Sequence, residues 1–407
     1  MFKLWKLGLR DLQRNKRRSI LTLTAVALGL ALLIVINGLI EGELAGTLEN
    51  TIRLQTGHVQ MREESYDEDK VSLKWEDLLN DSAGLAARAQ ALPGVKAATP
   101  IMWASGILGT REDTTGVRVF GIDPQSAAYA PIREAMVSGQ FLSPDDRGGI
   151  LIGQPLAKSL GLAEGAQVSL LVNTSSELPD QTVFTIRGLF NTRSPVYDET
   201  TVFMPLAKAQ AFTRTEGRAS AILMQLDRQE DTETVAAALR GPALTVLTWR
   251  DLNQVLLQAF EATAGIMDLM YLIVLAVVAV VIANTLLMSV FERTREMGIL
   301  AALGMKGRQV MAMFLLEAGM LAVAGIVVGL ALGTLGVLYL ATVGYNIGSS
   351  ADMASSAYVM SSTIYARFSP SGMAALSVAA LVITLLASLY PALHASRLEP
   401  IDALRAQ

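Results

Sequence analysis

Four long runs of apolar residues dominate the chain, and a long segment of mixed polarity separates the first run from the other three. The runs lie at residues 20–40, 266–291, 310–343 and 371–393. At a rise of ~1.5 Å per residue, a helix of about 20 residues covers the ~30 Å hydrocarbon core of a bilayer. The pattern therefore predicts an all-α bundle of four transmembrane helices, TM1 to TM4.

The mixed segment, residues 41–265, alternates between patterns typical of strands and patterns typical of helices. Period-two alternation and short apolar runs predict strands, whereas a helical repeat predicts helices. Strands are predicted at 52–61, 99–109, 116–122, 168–172, 182–190 and 221–226, and helices at 78–92, 155–162, 206–213 and 232–240. A large α+β domain inserted between TM1 and TM2 is the expected fold.

Basic residues are unevenly distributed around the four runs. Residues 1–19 contain seven Lys or Arg against one acid, and further bases occur in 292–309 and 394–407, whereas acids outnumber bases in 41–265. Because Lys and Arg favour the cytoplasmic side of a membrane, both termini are expected to be cytoplasmic. The large domain and the short loop at 344–370 are expected outside. The leader at 1–19 is expected to lie as a basic amphipathic helix on the lipid headgroups.

Composition narrows the classes of function. Only 17% of the 407 residues are charged, against about 25% in an ordinary soluble domain, which argues against a purely soluble enzyme. The chain has no cysteine and only two histidines, His58 and His394, so no thiol catalysis, metal centre or Ser/His/Asp triad is predicted. A net charge of −4 argues against a nucleic-acid partner. No Gly-x-x-x-x-Gly-Lys-Ser/Thr sequence occurs, so this chain is not expected to bind a cofactor or to hydrolyse ATP.

The segment that follows TM2 is the principal candidate for a functional site. Charged residues come first and apolar residues at helical spacing follow, which predicts a short amphipathic helix at the membrane surface. Such a helix could dock in a groove of a partner protein, or it could simply turn the chain between two spans; the residues alone leave both open. The residues assigned to docking are Glu292, Arg293, Arg295, Glu296, Met297, Gly298, Leu300, Leu303 and Gly304.

TM3 contains two further features. Gly325, Gly329 and Gly333 are spaced four apart and share one helix face, which lets another helix approach closely. Packing within the chain is expected, and the seam of a dimer is the alternative. Glu317 lies near the beginning of TM3, and no partner for it is evident in the sequence, so it is interpreted as an interfacial residue without a role in proton or substrate transfer.

Five stretches carry a resemblance to known proteins. They are LRDLQRNKRRS at 9–19, TGHVQ at 56–60, IGQPLAKSLGL at 152–162, ERTREMGILAALGMKGRQV at 292–310 and YPALHASRLEPIDALR at 390–405. These stretches, and the order of spans around them, resemble the ABC transporter permeases of the MacB, LolC/LolE and FtsX type over essentially the whole chain.

This resemblance implies the membrane subunit of a type VII ABC transporter of the bacterial inner membrane. Such a subunit works as a dimer of identical or related chains, and separate ATPase subunits bind ATP and Mg²⁺. The resemblance also implies that the segment from Glu292 to Met305 is a coupling helix, with residues 41–265 forming a periplasmic MacB-like domain.

The layout is most similar to that of the lipoprotein-releasing permeases, which pass lipoproteins to a periplasmic chaperone. The connection Asn173–Gln181, where the chaperone-catching loop of those proteins is expected, is short. MacB-like efflux through adaptor partners and FtsX-like signalling to an external cell-wall hydrolase are the alternatives.

Overall fold

A computed structural model describes residues 16–67, 70–241, 244–346 and 363–397. The chain forms two compact units. The helical unit takes residues 16–43, 260–345 and 364–397, and the sheet unit consists mainly of residues 44–259. Most of the basic leader, most of the 344–370 loop and the end of the tail, all discussed above, lie outside the described residues.

Helices and strands are numbered here in chain order. The helices are α1 Lys16–Thr51, α2 Ser82–Gln90, α3 Ala130–Glu134, α4 Gln154–Ser159, α5 Pro195–Thr200, α6 Leu206–Thr213, α7 Thr232–Leu239, α8 Trp249–Leu252, α9 Gln254–Glu292, α10 Thr294–Ala302, α11 Gly307–Val343 and α12 Pro370–Ser396. The strands are β1 Val59–Glu63, β2 Val95–Gly109, β3 Thr114–Ile122, β4 Met136–Gly139, β5 Gly149–Gly153, β6 Gln167–Asn173, β7 Pro179–Phe190, β8 Thr201–Pro205, β9 Ala221–Leu226, β10 Leu244–Thr248, β11 Tyr345–Asn346 and β12 Thr363–Ile364.

Within the described residues, four helices, α1, α9, α11 and α12, are long and apolar enough to cross a membrane. Each contains one of the four apolar runs, and each extends beyond it. Helix α1 continues to Thr51 and α9 begins at Gln254, because the flanking residues contain no proline that would interrupt the backbone hydrogen bonds. Hydropathy therefore located the spans, whereas helix ends depend on backbone geometry that hydropathy does not report.

The glycine stripe of α11 packs against α1. A Cβ atom placed on Gly325 would lie 2.8 Å from Cβ of Val26, and one on Gly333 would lie 2.9 Å from Cβ of Ile34. At Gly329 the nearest atom would be the Ala27 carbonyl oxygen, at 2.9 Å. Only glycine, which has no Cβ atom, permits α11 to approach α1 this closely. The glycine stripe therefore lies at a helix–helix contact within the chain.

Helix α9 differs from the other three long helices because few of its apolar side chains are buried and many are exposed. The exposed large residues include Ile266, Leu269, Leu272, Ile273, Val277 and Val280. An apolar surface of this extent is unfavourable in water. It is the surface expected of a helix that contacts lipid or another membrane helix.

The first part of the sheet unit is a four-stranded antiparallel sheet in the order β10-β1-β9-β2. Helix α2 connects β1 to β2, and α7 connects β9 to β10, so the strands and helices follow a split βαβ pattern of the ferredoxin-like kind. Both helices bury their apolar faces with the sheet, through a cluster that includes Ala86, Val95, Met224, Val235 and Val246.

The second part is a closed ring of six strands inserted between β2 and β9. Strand β2 has 15 residues, and while its first half pairs with β9, its second half pairs with both β3 and β6. The ring closes through the pairs β3/β8, β8/β5, β5/β7 and β7/β6. All six strands contribute to one apolar core, with Leu108, Val119, Ile152, Leu170, Phe184 and Val202 among its members.

Most predicted elements of this unit are confirmed. The strands predicted at 99–109, 116–122, 168–172, 182–190 and 221–226 and the helix at 206–213 lie within observed elements of the same type. The strand predicted at 52–61 is wrong in its first half, because residues Ile52–Thr56 form a π-helical turn that ends at Gly57, whose φ is +67°. The connection between β6 and β7 is only five residues, 174–178.

A buried carboxyl group, that of Asp198, lies in α5 beside the ring. Its oxygens accept hydrogen bonds from the backbone N–H and the hydroxyl of Thr192, at 3.0 and 2.7 Å. Burial raises the pKa of Asp198 to about 7, and the hydrogen bonds from Thr192 oppose that shift. Strand β5 approaches so closely that a side chain at Gly153 would overlap the Asp198 carbonyl group.

Asp198 should make stability depend on pH. Between about pH 4 and pH 7 the folded chain retains a proton that the unfolded chain has lost, so the free energy of unfolding should fall as pH rises through this window. The slope should be at most about 1.4 kcal/mol per pH unit. Thermal unfolding of the detergent-purified chain across this range should show the slope, and Asp198→Asn should flatten it. Asp227→Asn, at an exposed position, is the control. An unchanged slope in Asp198→Asn would show that the raised pKa of Asp198 is not the cause of the pH dependence.

The helical unit offers a second test. Gly329→Leu should force α1 and α11 apart and lower the free energy of unfolding by about 1–3 kcal/mol. Gly265→Leu on α9 is the matched control, because a Cβ atom there would meet open space. Melting temperatures in the same detergent compare the two variants, and equal values would show that close packing at Gly329 is not required.

Candidate functional site

The candidate site is built around α10, the short helix between α9 and α11. Helix α9 ends at Glu292 and α10 begins at Thr294, so Arg293 alone separates them. Backbone hydrogen bonds continue across this break, since the Arg293 N–H donates to the Ser289 carbonyl oxygen at 3.2 Å and the Met297 N–H donates to the Arg293 carbonyl oxygen at 3.0 Å. The Thr294 hydroxyl also donates to the Val290 carbonyl oxygen at 3.0 Å. These hydrogen bonds therefore hold α10 at the end of α9.

A glycine turn ends α10. Gly304 has φ of +94°, a left-handed conformation that glycine adopts without steric cost. The Met305 N–H donates back to the Leu300 carbonyl oxygen at 3.1 Å, which is typical of a helix terminated by glycine. Helix α11 then begins, with the Lys306 N–H donating to the Gln309 side chain at 2.9 Å.

One face of this segment is exposed. It consists of Glu292, Arg295, Glu296, Ile299, Ala302 and Leu303, and it is called the docking face below. The spacing of three or four residues places these side chains along one side of the helix. Leu303 is 80% exposed and Ile299 is 47% exposed, so the docking face combines charge with exposed aliphatic surface.

The opposite face is buried. Met297 packs in an apolar cluster with Val290 of α9, with Val310, Met313 and Phe314 of α11, and with Ala392 and Ala395 of α12. Gly298 is also buried, and Leu300 is intermediate. The cluster joins α10 to both of the helices that follow it in the chain.

Arg293 belongs to the buried face, and it forms an ion pair with Glu317 of α11. The Arg293 Nη1 atom lies 3.5 Å from Glu317 Oε2, and the two side chains are 3% and 1% exposed. No partner for Glu317 is evident in the sequence, and Arg293 is among the residues predicted for docking. The structure corrects both points: Glu317 has a partner, and Arg293 points inward. Glu317 lies within an apolar run, which is a signal that it needs a counter-charge, but the sequence does not show which residue supplies it.

The residues predicted for docking thus divide between an exposed group and a buried group, with Leu300 intermediate. Glu292, Arg295, Glu296, Leu303 and Gly304 are exposed, whereas Arg293, Met297 and Gly298 are buried. The three TM3 glycines lie elsewhere on α11, against α1. Across residues 16–67, 70–241, 244–346 and 363–397, no group of three or more His, Cys, Asp or Glu is placed to hold a metal ion.

His58 is a structural residue of the sheet unit. Its Nδ1 atom accepts a hydrogen bond from the Leu226 N–H at 3.2 Å, and its carbonyl oxygen accepts one from the Trp249 N–H at 2.9 Å. Burial lowers the pKa of His58, which favours the neutral ring that this hydrogen bond requires. His58 therefore joins β1 to β9 and α8.

Two family models match the chain. The MacB-like periplasmic core domain matches residues 19–241, and the FtsX-like permease C-terminal domain matches residues 269–400. The second match contains α10 and all of α11.

This chain is also similar to individual proteins. The lipoprotein-releasing system transmembrane protein LolC of Neisseria meningitidis serogroup B is 24% identical, over 98% of each chain. The macrolide export ATP-binding/permease protein MacB of Bdellovibrio bacteriovorus is also 24% identical, over 98% of this chain but 61% of its own length. The crystal structure of the periplasmic region of MacB from Actinobacillus actinomycetemcomitans matches 51% of this chain and 96% of its own, at 13% identity and a TM-score of 0.35.

The first family model alone covers more than half of the chain, and the second covers the membrane helices that follow the sheet unit. This chain therefore belongs to the ABC transporter permeases of the MacB, LolC/LolE and FtsX type.

Proposed function

We propose that this permease couples ATP hydrolysis by a separate ATPase subunit to movement of its sheet unit, and that the work done is the release of lipoproteins from the inner membrane. The chain would act as a dimer with a second permease, identical or related. ATP and Mg²⁺ would be bound by the ATPase, since the phosphate-binding sequence of nucleotide-binding proteins does not occur in this chain. The ends of the chain would be cytoplasmic and the sheet unit periplasmic, as the distribution of basic residues favours.

The observation that carries the coupling role is the docking face. An amphipathic helix commonly binds a partner by placing apolar residues at helical spacing into a groove. Ile299 and Leu303 supply such residues, and Glu292, Arg295 and Glu296 surround them with charges of both signs. A helix whose only task was to turn the chain would not require an exposed leucine at its end.

The choice of lipoprotein release rests on the relationship to LolC. The match spans 98% of both chains, so the whole layout of this chain corresponds to that of a protein named for lipoprotein release. In the MacB relative, by contrast, 39% of the protein has no counterpart in this chain.

MacB-like efflux is the second candidate. It is supported by the MacB-like periplasmic core domain and by the 98% of this chain that aligns with the Bdellovibrio MacB. In that case the permease would act with an adaptor protein and move periplasmic substrates, whereas lipoprotein release would involve a periplasmic chaperone. The two candidates share the docking face and differ in cargo.

Leu303→Asp should weaken binding of the ATPase. A charge in the centre of an apolar groove typically removes a hot-spot contact, so an increase in Kd of about tenfold or more is expected. The measurement is binding of the ATPase from the native host to the purified permease in nanodiscs. Leu178→Asp, at another strongly exposed leucine, is the control and should bind as the unmodified chain does. Unchanged binding by Leu303→Asp would remove the docking face from the proposal.

The cargo is tested with the reconstituted permease and ATPase. Acylated lipoprotein should increase ATP turnover and should leave the vesicles on addition of ATP, whereas the same protein without its acyl chains should do neither. Stimulation by a soluble periplasmic substrate together with an adaptor, and none by lipoprotein, would favour efflux instead.

A further inference from the structure

The buried ion pair between Arg293 and Glu317 is not explained by docking. Both side chains are almost completely buried, at 3% and 1% exposure, so neither is available to an ATPase on the docking face. The two residues belong to different parts of the helical unit. Arg293 is the residue between α9 and α10, and Glu317 lies about 15 Å along α11 from its first residue, by the rise of an α-helix.

The apolar contacts around α10 do not by themselves fix its orientation relative to α11. The cluster beneath α10 contains Met297 and Met313, with Met305 and Met311 packed against it. Methionine side chains are flexible and tolerate altered packing, so these contacts hold α10 against α11 without fixing how it is rotated or displaced. An ion pair is directional, and separating two buried opposite charges is energetically costly.

The position of Arg293 makes the pair a mechanical link. The Met297 N–H donates to the Arg293 carbonyl oxygen, and the Arg293 N–H donates to the Ser289 carbonyl oxygen at 3.2 Å. The backbone of Arg293 thus belongs to the junction of α9 and α10, while its guanidinium group is bound to α11. Displacement of the junction therefore acts on α11 through this side chain.

We propose that Arg293 and Glu317 are positioning residues whose ion pair makes α10 and α11 move together, so that a displacement of the docking face is transmitted into α11. This proposal rests on the proposed coupling function, in which an ATPase moves the docking face. It assigns Arg293 a role different from that of Arg295, which lies two residues away and is exposed on the docking face.

The coupling test compares these two arginines in the reconstituted complex. Arg293→Gln and Glu317→Gln should leave the Kd of the ATPase within about twofold of the unmodified chain and reduce cargo-stimulated ATP turnover at least tenfold. Arg295→Gln should increase the Kd while leaving stimulation intact once the ATPase is saturating. The charge-exchanged variant Arg293→Glu with Glu317→Arg should recover a substantial part of the stimulation that either single change removes.

A distance measurement tests the link without the ATPase. The chain contains no cysteine, so spin labels can be attached specifically through Ile299→Cys on α10 and Val323→Cys on α11, both at exposed positions. The distance distribution between the labels should be narrow in the otherwise unmodified chain, broad in Arg293→Gln, and narrow again in the charge-exchanged variant. Recovery in the exchanged variant distinguishes a lost link from a general loss of folding.

The outcomes separate the two proposals. If the ATPase does not bind the unmodified permease, the proposed function fails, and the label distances still decide whether the pair links α10 to α11. If Arg293→Gln keeps full stimulation or a narrow distance distribution, the link is disproved. If Arg293→Gln weakens ATPase binding as Arg295→Gln does, Arg293 belongs to docking and the positioning role is wrong.

Discussion

Two charges removed from solvent constrain the arrangement of helices around α10. Arg293 pairs with Glu317 on α11, and separating these two buried charges would be strongly unfavourable. Met297 is four residues further on and therefore lies on the same side of the helix, where it enters the apolar cluster with α11 and α12. The ion pair sets the rotation of α10 about its axis, and Met297 enters the cluster on the side that this rotation gives it. The opposite face, with Arg295, Ile299 and Leu303, is turned outward as a consequence.

Helix α9 is the second element to which α10 is attached. It is a single helix of 39 residues, about 58 Å long at an α-helical rise, and backbone hydrogen bonds continue from its end into α10. A displacement of the docking face therefore acts on a long helix through its backbone and on α11 through a side chain. This double attachment is what the proposed coupling requires, since a flexible connection would absorb the motion.

The sheet unit depends on a comparable shared element, the long strand β2. Its first half completes the ferredoxin-like sheet and its second half completes the six-stranded ring, so the two parts cannot shift independently without breaking the strand. The close approach of β5 to Asp198 adds a second constraint, because Gly153 leaves no room for a side chain.

Sequence alone was sufficient for properties that depend on local composition. Four apolar runs located the spans, period-two alternation located five strands, and the spacing of Gly325, Gly329 and Gly333 identified a packing face. The motifs around 292–310 also identified the family. These signals are readable because burial in lipid and alternation across a sheet impose their periods directly on the chain.

Only the tertiary structure decided which partner each group meets. The amphipathic pattern of 292–305 does not show that Arg293 turns inward while Arg295 turns outward, because the two residues differ in nothing that composition or hydropathy records. Glu317 pairs with Arg293 because α11 packs beside the end of α9. Strand β2 pairs with β6 because the ring of strands closes. Long-range contacts of this kind arise from packing between distant segments, and for that reason they leave no periodic trace in the sequence.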